Sequence, residues 1–113
     1  MNIDVGIQCG VNKKEHSKHL FVVRLPVENM NIARNEFLLQ LHERKIGASI
    51  HYRPLHSMPL YREYSKKPLL NTEMLYKEIL TLPIGASVTM EDAKYVIDHF
   101  TDLLKKGIKS GKV

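Results

Sequence analysis

Behind Thr89 the chain carries Ala93, Val96, Ile97, Phe100, Leu103 and Leu104 at helical spacing. No other stretch constrains the fold so strongly. Residues three and four apart share one face of a helix, so these side chains form a single apolar stripe. Thr89 and Asp92 make a [ST]-x-x-[DE] start that places an acid near the positive helix end. Each large side chain in the stripe contributes about 1.5–3 kcal/mol on burial, on the order of 10 kcal/mol gross in sum. That helix must lie on something.

The remaining elements supply the surface. "HLFVVRLP", His19 to Pro26, is a short apolar, β-branched run stopped by proline, which reads as a buried strand. From Asn31, a fair N-cap, Ala33, Phe37, Leu38 and Leu41 fall on one helical face, while Arg34, Glu36, Glu43 and Arg44 fall mostly elsewhere. Ile46-Gly47 marks the helix stop, because glycine enters the left-handed conformation cheaply. "ASIHY", Ala48 to Tyr52, reads as a second strand cut by Pro54. Asn71 or Thr72 caps a short helix carrying Met74, Leu75 and Ile79, and "LTLPI", Leu80 to Ile84, is a brief third strand. The order is β-α-β-loop-α-β-α. It predicts an α+β two-layer sandwich, a small sheet of three or so strands with helices packed on it. The boundaries are residues 1–17 as an irregular lead-in, 18–106 as the folded domain and 107–113 as a basic tail.

Composition narrows the function classes. The 113 residues suit one domain, and 43% hydrophobic content supports a real core. No apolar run approaches the roughly 20 residues of a membrane span, and no signal-peptide core is present at the N-terminus. The single cysteine, Cys9, rules out an internal disulfide and fits a reducing cytoplasm. The net charge of +5 is concentrated at the ends, in Lys13, Lys14 and Lys18 and in Lys105, Lys106, Lys109 and Lys112. Such charge attracts polyanions weakly and specifies no nucleic acid.

Several chemistries lack their residues. The six histidines, His16, His19, His42, His51, His56 and His99, come with no C-x-x-C or H-E-x-x-H, so no metal site is expected. Cys9 has His16 and His19 near it in sequence, but a triad needs geometry that spacing does not supply, and a partly buried or idle thiol is the simpler reading. "GIQCG" and "GIKSG" lack the G-x-x-x-x-G-K-[ST] order of a phosphate loop. Acids are scattered, with no pair placed for acid–base work.

One stretch stands apart. "HYRPLHSMPLY", His51 to Tyr61, strings two histidines and two tyrosines between prolines. One reading is a proline-stiffened crossover whose rings pack on the sheet edge. The other is a polar-tipped aromatic binding loop, in which histidine donates or accepts, tyrosine donates, and Arg53 or Arg62 forks to a phosphate. Composition leaves both open.

The longer pattern carries a resemblance. "HLFVVRLP", then "RNEFLLQLHERKIGASIHYRPLHSMPLY", then "LTLPIGASVTMEDAKYVID" are similar to the C-terminal segment of the DegT/StrS-type PLP-dependent nucleotide-sugar aminotransferases. The likeness covers roughly residues 17 to 104. It implies the small domain of a fold-type-I aminotransferase, whose preceding large domain carries the Schiff-base lysine, an aspartate facing the pyridine nitrogen and most phosphate contacts. No lysine of these 113 residues falls in a matching motif. The resemblance therefore implies a chain that binds no cofactor by itself and is inactive alone, PLP belonging to the intact enzyme.

By matching position, His51, Tyr52 and His56, with Arg53 and Tyr61 beside them, are expected to line the cleft and position substrate, with no catalytic residue among them. The intact reaction moves an amino group to a keto-sugar nucleotide in amino-sugar or cell-surface polysaccharide synthesis. The expected partners are a separately encoded large domain, the nucleotide-sugar substrate and further copies of the chain, with no membrane. The competing expectation is a non-catalytic binding or regulatory module that reuses this fold.

Overall fold

In the computed structural model, which describes residues 4–10 and 12–109, the expected stripe lies on helix α3, Met90–Gly107. The amide of Asp92 donates to Thr89 Oγ1 at 3.0 Å, and the amide of Thr89 donates to Asp92 Oδ2 at 2.9 Å. This reciprocal capping box holds two first-turn donors. The backbone amide of Thr89, and then its side chain, keep the Asp92 carboxyl below the ordinary carboxylate range. Phe100, Leu103 and Leu104 are buried as the stripe requires. Ile97 is not; at 61% exposed it lies off the core, because the buried arc narrows to the side that meets helix α1, Arg34–Glu43.

The sheet has three antiparallel strands in the order β1-β2-β3, with β1 at Gly6–Ile7, β2 at Phe21–Arg24 and β3 at Ile79–Leu82. Val23 pairs with Leu80, and both are buried in the cluster with Phe37, Leu41 and Phe100. The neighbouring pair, Val22 with Thr81, therefore projects from the opposite face, since successive side chains alternate. Phe37 and Phe100 meet edge to face, with ring centroids 5.2 Å apart. The α+β two-layer architecture expected from the sequence is present.

Several local expectations change. The lead-in is not wholly irregular: Gly6–Ile7 pairs with Arg24 and Val23, filling an edge that β2 would otherwise leave open. Two residues show no periodicity, so this strand exists only through its partner. Ala48–Tyr52 is not a strand. Only Ser49 pairs, exchanging backbone bonds with Thr81 at 3.0 and 2.8 Å, after which the chain runs into buried Pro54, which has no N–H to give.

The turn after α1 is made by Lys45, whose φ is 63°, rather than by Gly47. It is closed by the Ile46 amide on Leu41 O at 3.0 Å and by His42 Nε2 on Ala48 O at 2.7 Å. Helix α2, Leu70–Glu78, starts ahead of Asn71 and Thr72, with Leu69 in the cap position, so neither polar residue caps it. Ile79 opens β3.

Arg34 departs furthest from its pattern. It is 5% exposed, with its guanidinium 4.7 Å over the Tyr76 ring. It donates to the Tyr76 carbonyl and, at 3.0 Å, to that of Ile79. These are carbonyls at the end of α2 and the start of β3, where a cation meets the negative helix end. Burial pulls its pKa below the ordinary arginine value, yet the group stays charged because that value is so high.

At the C-terminal end, Gly107 O accepts from the Asn31 amide at 2.7 Å and Asn29 O from the Lys109 amide at 2.8 Å. The start of the expected basic tail is thus fixed to the domain, while residues 110–113 lie outside the described residues.

Candidate functional site

The His51–Tyr61 segment leaves the sheet at the Ser49–Thr81 bridge and returns toward α2 through two 3-10 turns, Leu55–Ser57 and Arg62–Tyr64. Its shape is fixed by its own polar groups. Ser57 Oγ donates to Pro54 O at 2.7 Å, and the Ser57 amide donates to the same carbonyl at 3.0 Å. Arg53 donates from Nε to Ser57 Oγ at 3.2 Å and from Nη2 to Ser57 O at 3.0 Å. Much of its fork is thus spent inside the loop.

The two histidines are held from elements outside the segment. His51 Nδ1 lies 2.9 Å from Thr81 Oγ1, on the sheet face opposite the core. Its ring meets Tyr52 edge to face at 4.6 Å. His56 Nε2 lies 3.1 Å from Glu73 Oε1 on α2. The tyrosines are freer, Tyr52 being 68% and Tyr61 40% exposed.

The five expected site residues do not all share one hollow. His56 and Tyr61 line an apolar cleft of about 630 Å³ together with Leu55, Tyr64 and Leu69. His51 lines a different depression of about 440 Å³ with Val22, Arg24, Leu75 and Ile79, on the outer sheet face. Sequence reasoning missed Thr81 and Glu73, the residues that hold the two rings. Alternation along β3 carries the signal for Thr81, since it sets a polar residue between Leu80 and Leu82 on the face away from the core. Nothing in the sequence pairs Glu73 with a residue so far away.

Among the described residues no group of three or more His, Cys, Asp or Glu side chains is placed to hold a metal ion. No helix there is long and apolar enough to cross a membrane.

With this geometry in hand, comparison with known proteins is decisive. The model of the DegT/DnrJ/EryC1/StrS aminotransferase family matches residues 2–101. The chain belongs to this family. It is 32% identical over 87 residues to Uncharacterized protein MJ1066 of Methanocaldococcus jannaschii, covering 74% of this chain and 22% of that one. Its fold is similar to that of Helicobacter pylori PseC, an aminotransferase involved in the biosynthesis of pseudoaminic acid. There the TM-score is 0.82 at 23% identity, over 93% of this chain and 28% of that chain. It is also similar to NtdA from Bacillus subtilis, solved with bound cofactor PMP. That match has a TM-score of 0.63 at 24% identity and covers 77% of this chain and 20% of that one. The chain thus spans about a quarter of the length of these proteins.

The family is one of PLP- and PMP-dependent enzymes, which raises the question of whether these residues fit that cofactor. A Schiff-base lysine needs a shielded setting that favours the neutral amine. Every lysine among the described residues is solvent-exposed. Among the described residues, the donor set does not fit a covalently held pyridoxal cofactor.

Proposed function

We propose that this chain acts as the small-domain part of a DegT-type aminotransferase whose substrate is a keto-sugar nucleotide, and that it supplies a wall of the substrate site. On this reading the cofactor and its lysine lie outside these 113 residues. The observation that carries the reading is the construction of the His51–Tyr61 segment. Its backbone is braced by Ser57 and Arg53 and its His51 ring is held by Thr81, while Tyr52 and Tyr61 still present their rings outward. A segment that only linked two elements would have no use for so many polar braces under exposed aromatic groups. A rigid scaffold carrying exposed aromatic and imidazole tips suits a ligand with hydroxyls and a planar ring.

The same reading gives exposed apolar residues at the end of the segment and beyond it a role. Leu60, Tyr64 and Leu70 stand in solvent near the cleft and offer a surface for the rest of such an enzyme, or for another copy of the chain. His51, Tyr52, His56 and Tyr61 then position substrate, and Arg53 stiffens the loop.

Titration of the isotope-labelled chain with UDP-glucose, followed by NMR, tests the reading. Shift changes should be confined to His51, Tyr52, His56, Tyr61 and their neighbours. Saturating nucleotide sugar that leaves these resonances unmoved contradicts it.

A further inference from the structure

The contact between His56 and Glu73 carries a consequence for what the cleft can recognise. Glu73 stands near the start of α2. An ionised carboxylate offers lone pairs and no hydrogen. The His56 nitrogen 3.1 Å from Glu73 Oε1 is Nε2, so Nε2 must carry the proton and donate. In the neutral ring Nδ1 is then an acceptor.

Every buried side-chain nitrogen and oxygen among the described residues has a hydrogen-bond partner. His56 Nδ1 has none there, its ring bonding only through Nε2, so Nδ1 is not fully buried. The ring itself belongs to the wall of the apolar cleft with Leu55, Tyr61 and Tyr64.

We propose that Glu73 is a positioning residue for His56: it fixes the Nε2–H tautomer and leaves Nδ1 as a hydrogen-bond acceptor for the cleft's ligand. A ligand group that meets this atom must donate, as a hydroxyl, amine or amide N–H does. A phosphate or carboxylate oxygen finds no donor there while the ring is neutral. This assignment rests on the reading that the loop lines a ligand site, but its test reads the ring alone.

The test is long-range ¹H–¹⁵N NMR on the chain labelled at histidine nitrogen, at about pH 8.5, well above the ordinary imidazole range. Wild-type His56 should show a single tautomer, with a protonated Nε2 and a bare Nδ1. Glu73→Met keeps the side-chain stem and removes the acceptor, so it should lose the single-tautomer pattern and give averaged shifts. Glu73→Gln, whose amide oxygen still accepts, should restore it. The backbone amide spectrum reports that the fold is intact in each variant. A wild-type ring protonated at Nδ1, or a pattern unchanged in Glu73→Met, overturns the proposal. A single-tautomer ring whose loop ignores UDP-glucose supports it and counts instead against the functional reading.

Discussion

His51 Nδ1 and Thr81 Oγ1 lie 2.9 Å apart, joining the first residue of the aromatic loop to the strand that also pairs with Ser49. Thr81 is 5% exposed, so its hydroxyl depends on this ring for a partner. Removing either side leaves a group without its bond, which costs about 1–3 kcal/mol when the survivor stays buried. His51→Ala and Thr81→Val should each destabilise the chain, and the double variant should cost less than their sum. Denaturant melts of the three variants measure that coupling. Fully additive costs would show that the two groups act independently.

The helical core gives a sharper contrast. Phe37 is fully buried and Phe100 is 8% exposed, and their rings pack together. Phe37→Ala and Phe100→Ala should each cost roughly 3–5 kcal/mol. Ile97→Ser, on the same helix as Phe100, should change stability by less than about 0.5 kcal/mol, because that side chain stands in solvent. Urea midpoints decide the comparison, and an Ile97 effect as large as that of Phe100 would contradict the burial described above.

That contrast shows how far the sequence could be read. Helical periodicity located α3 and its cap, because Thr89, Asp92 and the apolar spacing are local signals. Ile97 satisfied the same spacing and was placed on the buried stripe, since periodicity gives an angular arc and only the packing partner sets its width. The β-branched run around Val22 and Val23 marked β2 for a similar local reason. Ala48–Tyr52 carried comparable strand character, yet just one of its residues pairs, a long-range outcome that propensity does not contain.

Helical spacing sets Arg34 off the apolar face of α1, yet the residue is buried. Its burial is explained by Tyr76 and Ile79, some forty positions away. The five site residues were read from the loop's composition and its family likeness, while Thr81 and Glu73, which hold the two histidines, became visible only in three dimensions.

Two carboxylates contribute to the acid response. The Asp92 carboxyl is held below its ordinary range by the Thr89 backbone and side chain, and Asp102 by bonds from Lys106 and Arg44. A carboxyl with a lower pKa folded than unfolded contributes stability above its unfolded value, about 3.9, and loses it as pH falls through the folded one. Thermal melts should therefore show wild type losing stability below about pH 4. Asp92→Asn should start less stable at neutral pH and fall less on acidification. Parallel pH profiles for the two proteins would show that the capping carboxylate adds nothing.

On the proposed function, this chain forms one side of an aminotransferase site without itself holding the cofactor. Incubating the purified chain with pyridoxal phosphate, reducing with borohydride and mapping the modified lysines by mass spectrometry tests it most directly. Weak labelling spread over many lysines is expected, since every described lysine is exposed. Stoichiometric labelling of one lysine, accompanied by a stable aldimine absorbance before reduction, would contradict it.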